Sequence, residues 1–413
     1  MKLVKFQPEY LRIGEALPFG VRDEAGRLLL AAGQVVDNAD RMDELRGQPL
    51  CADEAESSSW YKRLAAAMDA QIRQGALLHQ VASARPDTEA ARDPTPRKQL
   101  TLPEEWHEIV AHLDAALRDA RPDSGFRARV MAVHARARTL ATRRTDASLY
   151  HLVYEAATST IKYSSHHALM TMVICEQAAS MLSWQQPWID SLGRAALVMN
   201  ISMLRLQDQL AGDDRAPSAE MRVEIESHPA RSVQMLQACG MNDALCMDTV
   251  RLHHDAGPAE QPLVQLEPAQ QLARLLRRVD IFSAQISLRR ARAPISPVQA
   301  AREACLSASG APDEIGGALL RAVGMYPPGS FVELACGEVG IVVARGRRAN
   351  VPYVAALLSS SGTLIAEPLL RDTLDKRFAV KAAVPPASIK LRPPHERLLA
   401  LRAGVEPALP LLR

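Results

Sequence analysis

Eleven histidines occur in the chain, and five of them fall where several could meet. His166 and His167 open one helical pattern, His228 sits mid-helix directly before Pro229, and His253 and His254 end another helix ahead of Asp255. Asp280 lies between Val279 and Ile281 on an apolar helical stretch. Each residue alone is ordinary: a lone helical histidine is usually a core or surface residue, and a buried aspartate often caps backbone or pairs with an arginine. Together they suit different chemistry. Imidazoles and carboxylates aimed from several helices into one cavity are the ligand set of a di-metal centre in a bundle. An ionised carboxylate among apolar neighbours also requires a cation or hydrogen-bond donors.

The elements that must position these residues are helical from about Ser148 to Ala322. Ala168, Met172, Cys175, Ala179 and Leu182 step by four and three and form one apolar stripe. Leu192, Ala195, Ala196 and Met199 begin another. Ser218 is an expected N-cap, after which Met221, Ile225, His228, Ser232 and Met235 share a face. Leu272, Leu275, Leu276, Val279 and Ile286 mark a further helix. Past Tyr326-Pro327-Pro328-Gly329 the period changes to two, as in Val339, Ile341 and Val343, which predicts a small antiparallel β module. At the other end, strand candidates over 16–21 and 27–31 flank the turn at Asp23–Gly26, and a short helix is expected over 37–45. Helical spacing over 60–81, a proline-rich linker from Pro86 to Pro103, and a helix pair over 103–121 and 125–147 follow. The expected fold is therefore multidomain: a central all-α helical bundle flanked by small β-rich modules at both ends. Its expected parts are a β-rich module at 1–55, a helical and linker region at 56–147, the bundle at 148–325, the β module at 326–390 and a mobile tail at 391–413.

The order His167, Ala195–Ile201, Glu226-Ser227-His228-Pro229, His253-His254 and Asp280-Ile281-Phe282-Ser283-Ala284 with Arg289 beyond resembles the HD-GYP branch of the HD-domain phosphohydrolases. The resemblance covers roughly residues 148–326 and implies an HD-type all-α bundle with a two- or three-metal site of iron or manganese, which hydrolyses cyclic di-GMP. Carried over residue by residue, the ligand set implied is His167 (His166 in the alternative register), His228, His253, His254 and Asp280. The His-Asp pair that names the family falls on Met199 and Asn200, the phosphate-facing Lys on Met203, and the Gly-Tyr-Pro loop on Asp255–Glu260, where Gly257-Pro258 is a candidate remnant. Arg289 is a weak substrate-binding candidate.

These departures have physical consequences. Two cations that share a water lower its pKa, and the bridging Asp offsets their repulsion. Asn200 matches an Asp in shape but is neutral, and the Met199 thioether is a poor partner for iron or manganese. Losses of this kind remove several kcal/mol of transition-state stabilisation, roughly a thousandfold in rate. No catalytic residue is therefore expected. The resemblance implies a degenerate member without phosphodiesterase activity, which keeps at most one residual Fe or Mn ion or a hydrogen-bonded polar core. It would serve as a regulatory or binding platform in cyclic di-GMP signalling. The alternative is an active metal-dependent phosphodiesterase in which Asp255 or Asp190 replaces the missing carboxylate.

Composition limits the other classes. A net charge of +2 and 4% aromatic residues argue against nucleic-acid binding. The arginines at 127, 129, 136, 138, 143 and 144 are better read as a solvated helix face. No apolar run approaches the ~18 residues of a membrane span, and Met1–Glu9 lacks the apolar core of a secretory signal. Six scattered cysteines without a C-x-x-C pair suit a reduced, cytoplasmic protein. Candidate partners are cyclic di-GMP and signalling proteins such as diguanylate cyclases. A homodimer through the helix near Trp60 is one option, against packing within the chain.

Overall fold

The computed structural model describes residues 2–74, 77, 81, 84–85, 100–255, 261–291, 295–307 and 310–402. Most of the expected linker at 86–103, the Gly257-Pro258 remnant and the last eleven residues of the expected tail lie outside them. The chain is mostly helical with two small antiparallel sheets. It divides into two compact units, Met1–Ala111 and His112–Arg413.

In the first unit β1 (Leu3–Phe6), β2 (Val21–Arg22), β3 (Leu28–Leu30) and β4 (Leu50–Asp53) form a sheet in the order β1-β4-β2-β3. The strand expected over 16–21 shrinks to Val21–Arg22, and Ala16 makes only an isolated bridge to Val35. Helix α1 (Ala39–Arg46) is capped by Asn38, whose side chain accepts from the Arg41 N–H. Helix α2 (Glu54–Arg73) starts earlier than its apolar spacing suggests. Asp53 ends β4 and also caps the helix, accepting from the N–H groups of Ala55 and Glu56. Trp60 and Leu64 are buried with Phe6, Phe19 and Leu45, and the Trp60 ring meets Phe19 edge-on at 5.6 Å. Residue 55 is thus no boundary of packing, because helix and sheet share one core. Burial of Trp60 favours packing within the chain over a dimer contact, while Ile72 and Leu77 stay exposed.

The second unit is a bundle with a β module. Helix α3 (Leu102–Arg118) crosses the division between the units. It is followed by α4 (Phe126–Arg143), α5 (Thr145–Thr158), α6 (Tyr163–Met181), α7 (Gln186–Val198), α8 (Leu204–Gly212), α9 (Ala219–Ala238), α10 (Ala244–Leu252), α11 (Pro268–Ile286), α12 (Pro297–Ala304) and α13 (Glu314–Val323). The continuous helix expected over 125–147 breaks at Arg144, which leaves helical geometry at φ −138°. Helix α6 is buried on nearly every side rather than along one stripe, because α4, α5, α7, α8, α11 and α13 all pack on it. It is the axis on which both polar clusters of the bundle are built.

Strands β5 (Phe331–Leu334), β6 (Val339–Ala344), β7 (Tyr353–Leu358), β8 (Leu364–Asp372) and β9 (Val380–Val384) form the second sheet in the order β8-β7-β6-β5-β9. Phe331, Ile341 and Val343 pack on Tyr150 of α5. Gly329 permits that approach: a Cβ there would lie 2.6 Å from the Tyr150 carbonyl oxygen. The proline pattern predicts a mobile tail from 391, but the structure instead forms α14 (His395–Arg402). Leu398 is fully buried in the same core, and His395 Nδ1 lies 2.9 Å from the Tyr150 hydroxyl. Pro393 and Pro394 precede this helix, where proline's fixed φ suits a helix start. Among the described residues no helix is long and apolar enough to cross a membrane.

Candidate metal centre

The five ligand-type residues converge inside the bundle from α6, α9, the end of α10 and α11. His228 is oriented by the residue after it. Pro229 stands inside α9 and has no N–H, so the Ile225 carbonyl loses its helical donor. His228 Nδ1 lies 2.6 Å from that oxygen and supplies the missing bond. His253 is oriented by a helix end. It follows the last residue of α10, where the final carbonyls lack helical donors, and its Nδ1 lies 2.7 Å from the Val250 oxygen.

These two contacts assign the tautomers. A carbonyl can only accept, so both imidazoles carry their proton on Nδ1 and present a lone pair at Nε2. The two Nε2 atoms face each other at 3.1 Å. Burial pushes both imidazoles down to about 4, so neither holds a second proton near neutral pH. His254 joins from the exposed side, with ring centroids 4.7 Å from His228 and 4.4 Å from His253. Burial lowers its pKa too. One potential ligand atom of each of the three lies within 4.8 Å of the other two. Facing lone pairs without a proton between them repel, and a cation relieves that repulsion. Ligating histidines that donate their other N–H to a backbone carbonyl are the usual supporting pattern. The donor set therefore fits a metal ion.

Asp280 and His167 form the other part. His167 is buried, and its Nε2 lies 2.7 Å from Asp280 Oδ1. Burial alone would raise the Asp280 carboxyl, but the His167 hydrogen bond, with the electrostatic influence of the neighbouring imidazoles, outweighs it and holds it below the usual carboxylate range. The carboxylate thus accepts from His167. Tyr163 lies parallel to the His167 ring at 5.9 Å, and Arg289 Nε donates to the Tyr163 hydroxyl at 2.9 Å. Arg289 therefore adjoins the centre by way of Tyr163. His166, the alternative register, is half-buried, and the contact to Asp280 belongs to His167.

Met199 is buried at the C-terminus of α7, and Asn200 leads into a short 3-10 turn, Ile201–Met203. This turn packs on α9 beside His228: the Ser202 hydroxyl donates to the His228 carbonyl at 3.0 Å. The segment that carries the lost pair and Met203 is thus next to the centre in the fold. Neither candidate replacement carboxylate joins the histidine trio. Asp190 binds Arg138 at 2.5 Å and Gln186 at 2.7 Å, and Asp255 is exposed.

The sequence reading missed two hydroxyls, Thr171 and Ser283, whose oxygens are buried without a hydrogen-bond partner. They lie four residues after His167 and three after Asp280, a spacing that places each on its ligand's helix face. It also missed a closed network further along α6. His134 Nε2 lies 2.7 Å from Glu176 Oε1, and Arg138 reaches both Glu176 oxygens at 2.9 and 2.6 Å. Burial would raise the Glu176 carboxyl, but these partners hold it below its ordinary value. Gly193 on α7 makes room, since a Cβ there would meet Glu176 Oε1 at 2.0 Å. Of the arginines read as a solvated face, Arg138 belongs to this network, Arg129 pairs with Asp119 at 2.9 Å, and Arg127, Arg143 and Arg144 are exposed.

Among known proteins, the chain is 24% identical over 202 residues to the cyclic di-GMP phosphodiesterase PA4108 of Pseudomonas aeruginosa, covering 48% of this chain and 49% of that one. The chain thus spans about half the length of that curated relative. A solved structure, the HDG"Y"P protein Bd1817 from Bdellovibrio bacteriovorus, aligns over 77% of this chain and 98% of its own with 13% identity and a TM-score of 0.43. No profile of a known protein family matches the sequence. The chain resembles HD-GYP proteins.

Proposed function

We propose that this protein is a degenerate HD-GYP-like component of cyclic di-GMP signalling that acts as a regulatory or binding platform without phosphodiesterase activity. The reading rests on one observation. The histidine trio brings three ligand atoms within reach of a single cation, while the neighbouring positions 199 and 200 supply a buried thioether and a neutral amide. His228, His253 and His254, with Asp280 beside them, would hold one iron or manganese ion. Such an ion, when bound, supplies Lewis-acid polarisation of a phosphoryl oxygen. The rest belongs to the chain's own residues. The Ile225 and Val250 carbonyls fix the two buried imidazoles in the ligating tautomer, and His167 orients Asp280. Among the described residues no carboxylate joins the histidine trio to bridge two cations. The likeness to the Pseudomonas phosphodiesterase supports the pathway assignment.

Protein purified without chelator should carry at most one iron or manganese per chain. It should leave cyclic di-GMP intact in the presence of added Mn²⁺ or Fe²⁺, and titration calorimetry of cyclic di-GMP then tests binding without turnover. The double substitution Met199→His and Asn200→Asp should raise metal content towards two per chain. Two metals per chain in the unaltered protein, or its multiple turnover of cyclic di-GMP, overturns the reading in favour of a rearranged active enzyme.

A further inference from the structure

A second site lies away from the histidine centre, where the bundle meets the β module. Here α4, α6, α7 and α13 and the turn after β6 enclose a cleft of about 420 Å³, within the ~300–1,000 Å³ range of small-molecule sites. It lies near Gln177, ten residues beyond His167 on α6 and hence about 15 Å along the helix. None of the five centre residues lines it.

Three features of its wall are unfinished. Gln177 lines the cleft, and both its amide nitrogen and its amide oxygen are out of solvent with no hydrogen-bond partner. Arg321 lines it too. Its guanidinium bonds only the Met181 carbonyl, at 3.3 Å, and no carboxylate pairs with it among the described residues. Arg345 spends Nε on Asp146 and Nη1 on the Ala322 carbonyl, which leaves Nη2 over. By contrast, Arg138 and Glu176 at the edge of the cleft satisfy each other. Val173, Ile189 and Leu320 supply apolar wall.

Buried amides are normally satisfied, and an amide that lacks both partners in a cleft matches a ligand edge with one donor beside one acceptor. A glutamine reads such an edge on a nucleobase. Arg321, which has no carboxylate partner among the described residues, favours a phosphate, the Arg345 nitrogen not bonded to Asp146 can add a second donor, and the apolar wall suits the face of a planar ring. We propose that this cleft binds a nucleoside monophosphate, with its base edge on the Gln177 amide and its phosphate on Arg321 and Arg345. The site is independent of the metal centre and of the function proposed for it.

Titration calorimetry of the full chain with AMP, GMP and inorganic phosphate tests the proposal. At least one nucleotide should bind one per chain, ten or more times tighter than phosphate alone. Gln177→Leu and Arg321→Gln should each weaken it about tenfold, while His253→Ala leaves it unchanged. The thermal melt of each variant establishes that it is folded, and Gln177→Glu, which keeps the side-chain length and adds repulsion towards an anion, should weaken binding at least as much. Absence of binding by both nucleotides, phosphate binding as tightly as they do, or undiminished affinity in the folded Gln177 and Arg321 variants overturns it. Loss in His253→Ala would place the nucleotide at the metal centre and equally overturn it.

Discussion

Helix α6 carries two polar clusters, and they differ in how they are closed. Near its C-terminal end Glu176 is met by His134 and by both arms of Arg138, and the remaining Arg138 nitrogen is met by Asp190. Every charge there has an opposite partner. Near its N-terminal end His167 Nε2 bonds Asp280 while the His167 Nδ1 is buried without a partner among the described residues, and next to them His228, His253 and His254 bring neutral imidazoles together with two lone pairs facing at 3.1 Å. The first cluster is complete as protein, and the second becomes complete with a cation. Burial is common to both, so burial does not distinguish a structural cluster from a ligand site. What distinguishes them is the balance of donors and acceptors.

Acid should separate the two most strongly. His228 and His253 ionise at 6.5 in the unfolded chain and at about 4 in the fold. Between those values the unfolded chain holds more protons, so stability is lost as pH falls from 6.5 towards 4. At ~1.4 kcal/mol per pK unit, the two coupled histidines together account for a few kcal/mol in metal-free protein. Glu176 has the opposite sign of shift. Its folded pKa lies below 4.5, so its contribution is intact above that value and is lost only as pH falls below it. Urea unfolding of EDTA-treated protein should therefore lose stability between pH 6.5 and 4, and the double variant His228→Gln, His253→Gln should not. A flat profile down to pH 4.5 in the unaltered protein would mean that the histidine trio is as closed as the glutamate network.

Truncation separates them next. Glu176→Ala takes the carboxylate from His134 and leaves Arg138 with Asp190 as its one carboxylate partner, and is expected to cost about 3–5 kcal/mol in a denaturant melt. His254→Ala, at the exposed side of the trio, should change stability by less than about 1 kcal/mol. Equal costs would erase the distinction drawn from donor balance.

The two clusters were not equally legible in the sequence. The histidine centre announces itself through residue type: adjacent histidines at 253 and 254, a histidine before a proline, and an aspartate between Val279 and Ile281. One of its helix starts was readable too, because Ser218 stands where a cap is required and its side chain accepts from the Met221 N–H. The glutamate network was hidden. Its bonds between helices join residues 38 to 52 apart in the chain and draw on three helices, and Arg138 resembles its exposed neighbours Arg143 and Arg144. Two local signs existed: a glutamate directly after the apolar stripe residue Cys175, and a glycine mid-helix at position 193. The latter is intelligible only once the close approach of α6 and α7 is known. Helix α14 was misread because paired prolines end helices as readily as they start them, and only the buried Leu398 and the Tyr150 contact decide which.

Metal addition gives the smallest effect and the finest test. A ligand that binds only the folded chain stabilises it by about 2.7 kcal/mol at a free concentration of 100 times its Kd. Manganese or iron should raise the thermal midpoint of chelator-treated protein by the corresponding amount. The increment should be the same in Glu176→Gln, because that network has no vacant lone pair to offer, even though the variant starts from a lower midpoint. It should disappear in His253→Ala, which removes one of the two facing Nε2 atoms. An increment that follows Glu176 instead would locate the cation in the network that is closed by arginine. Donor balance would then be the wrong criterion for telling the two clusters apart, and the cation site would lie at Glu176 rather than at the histidine trio.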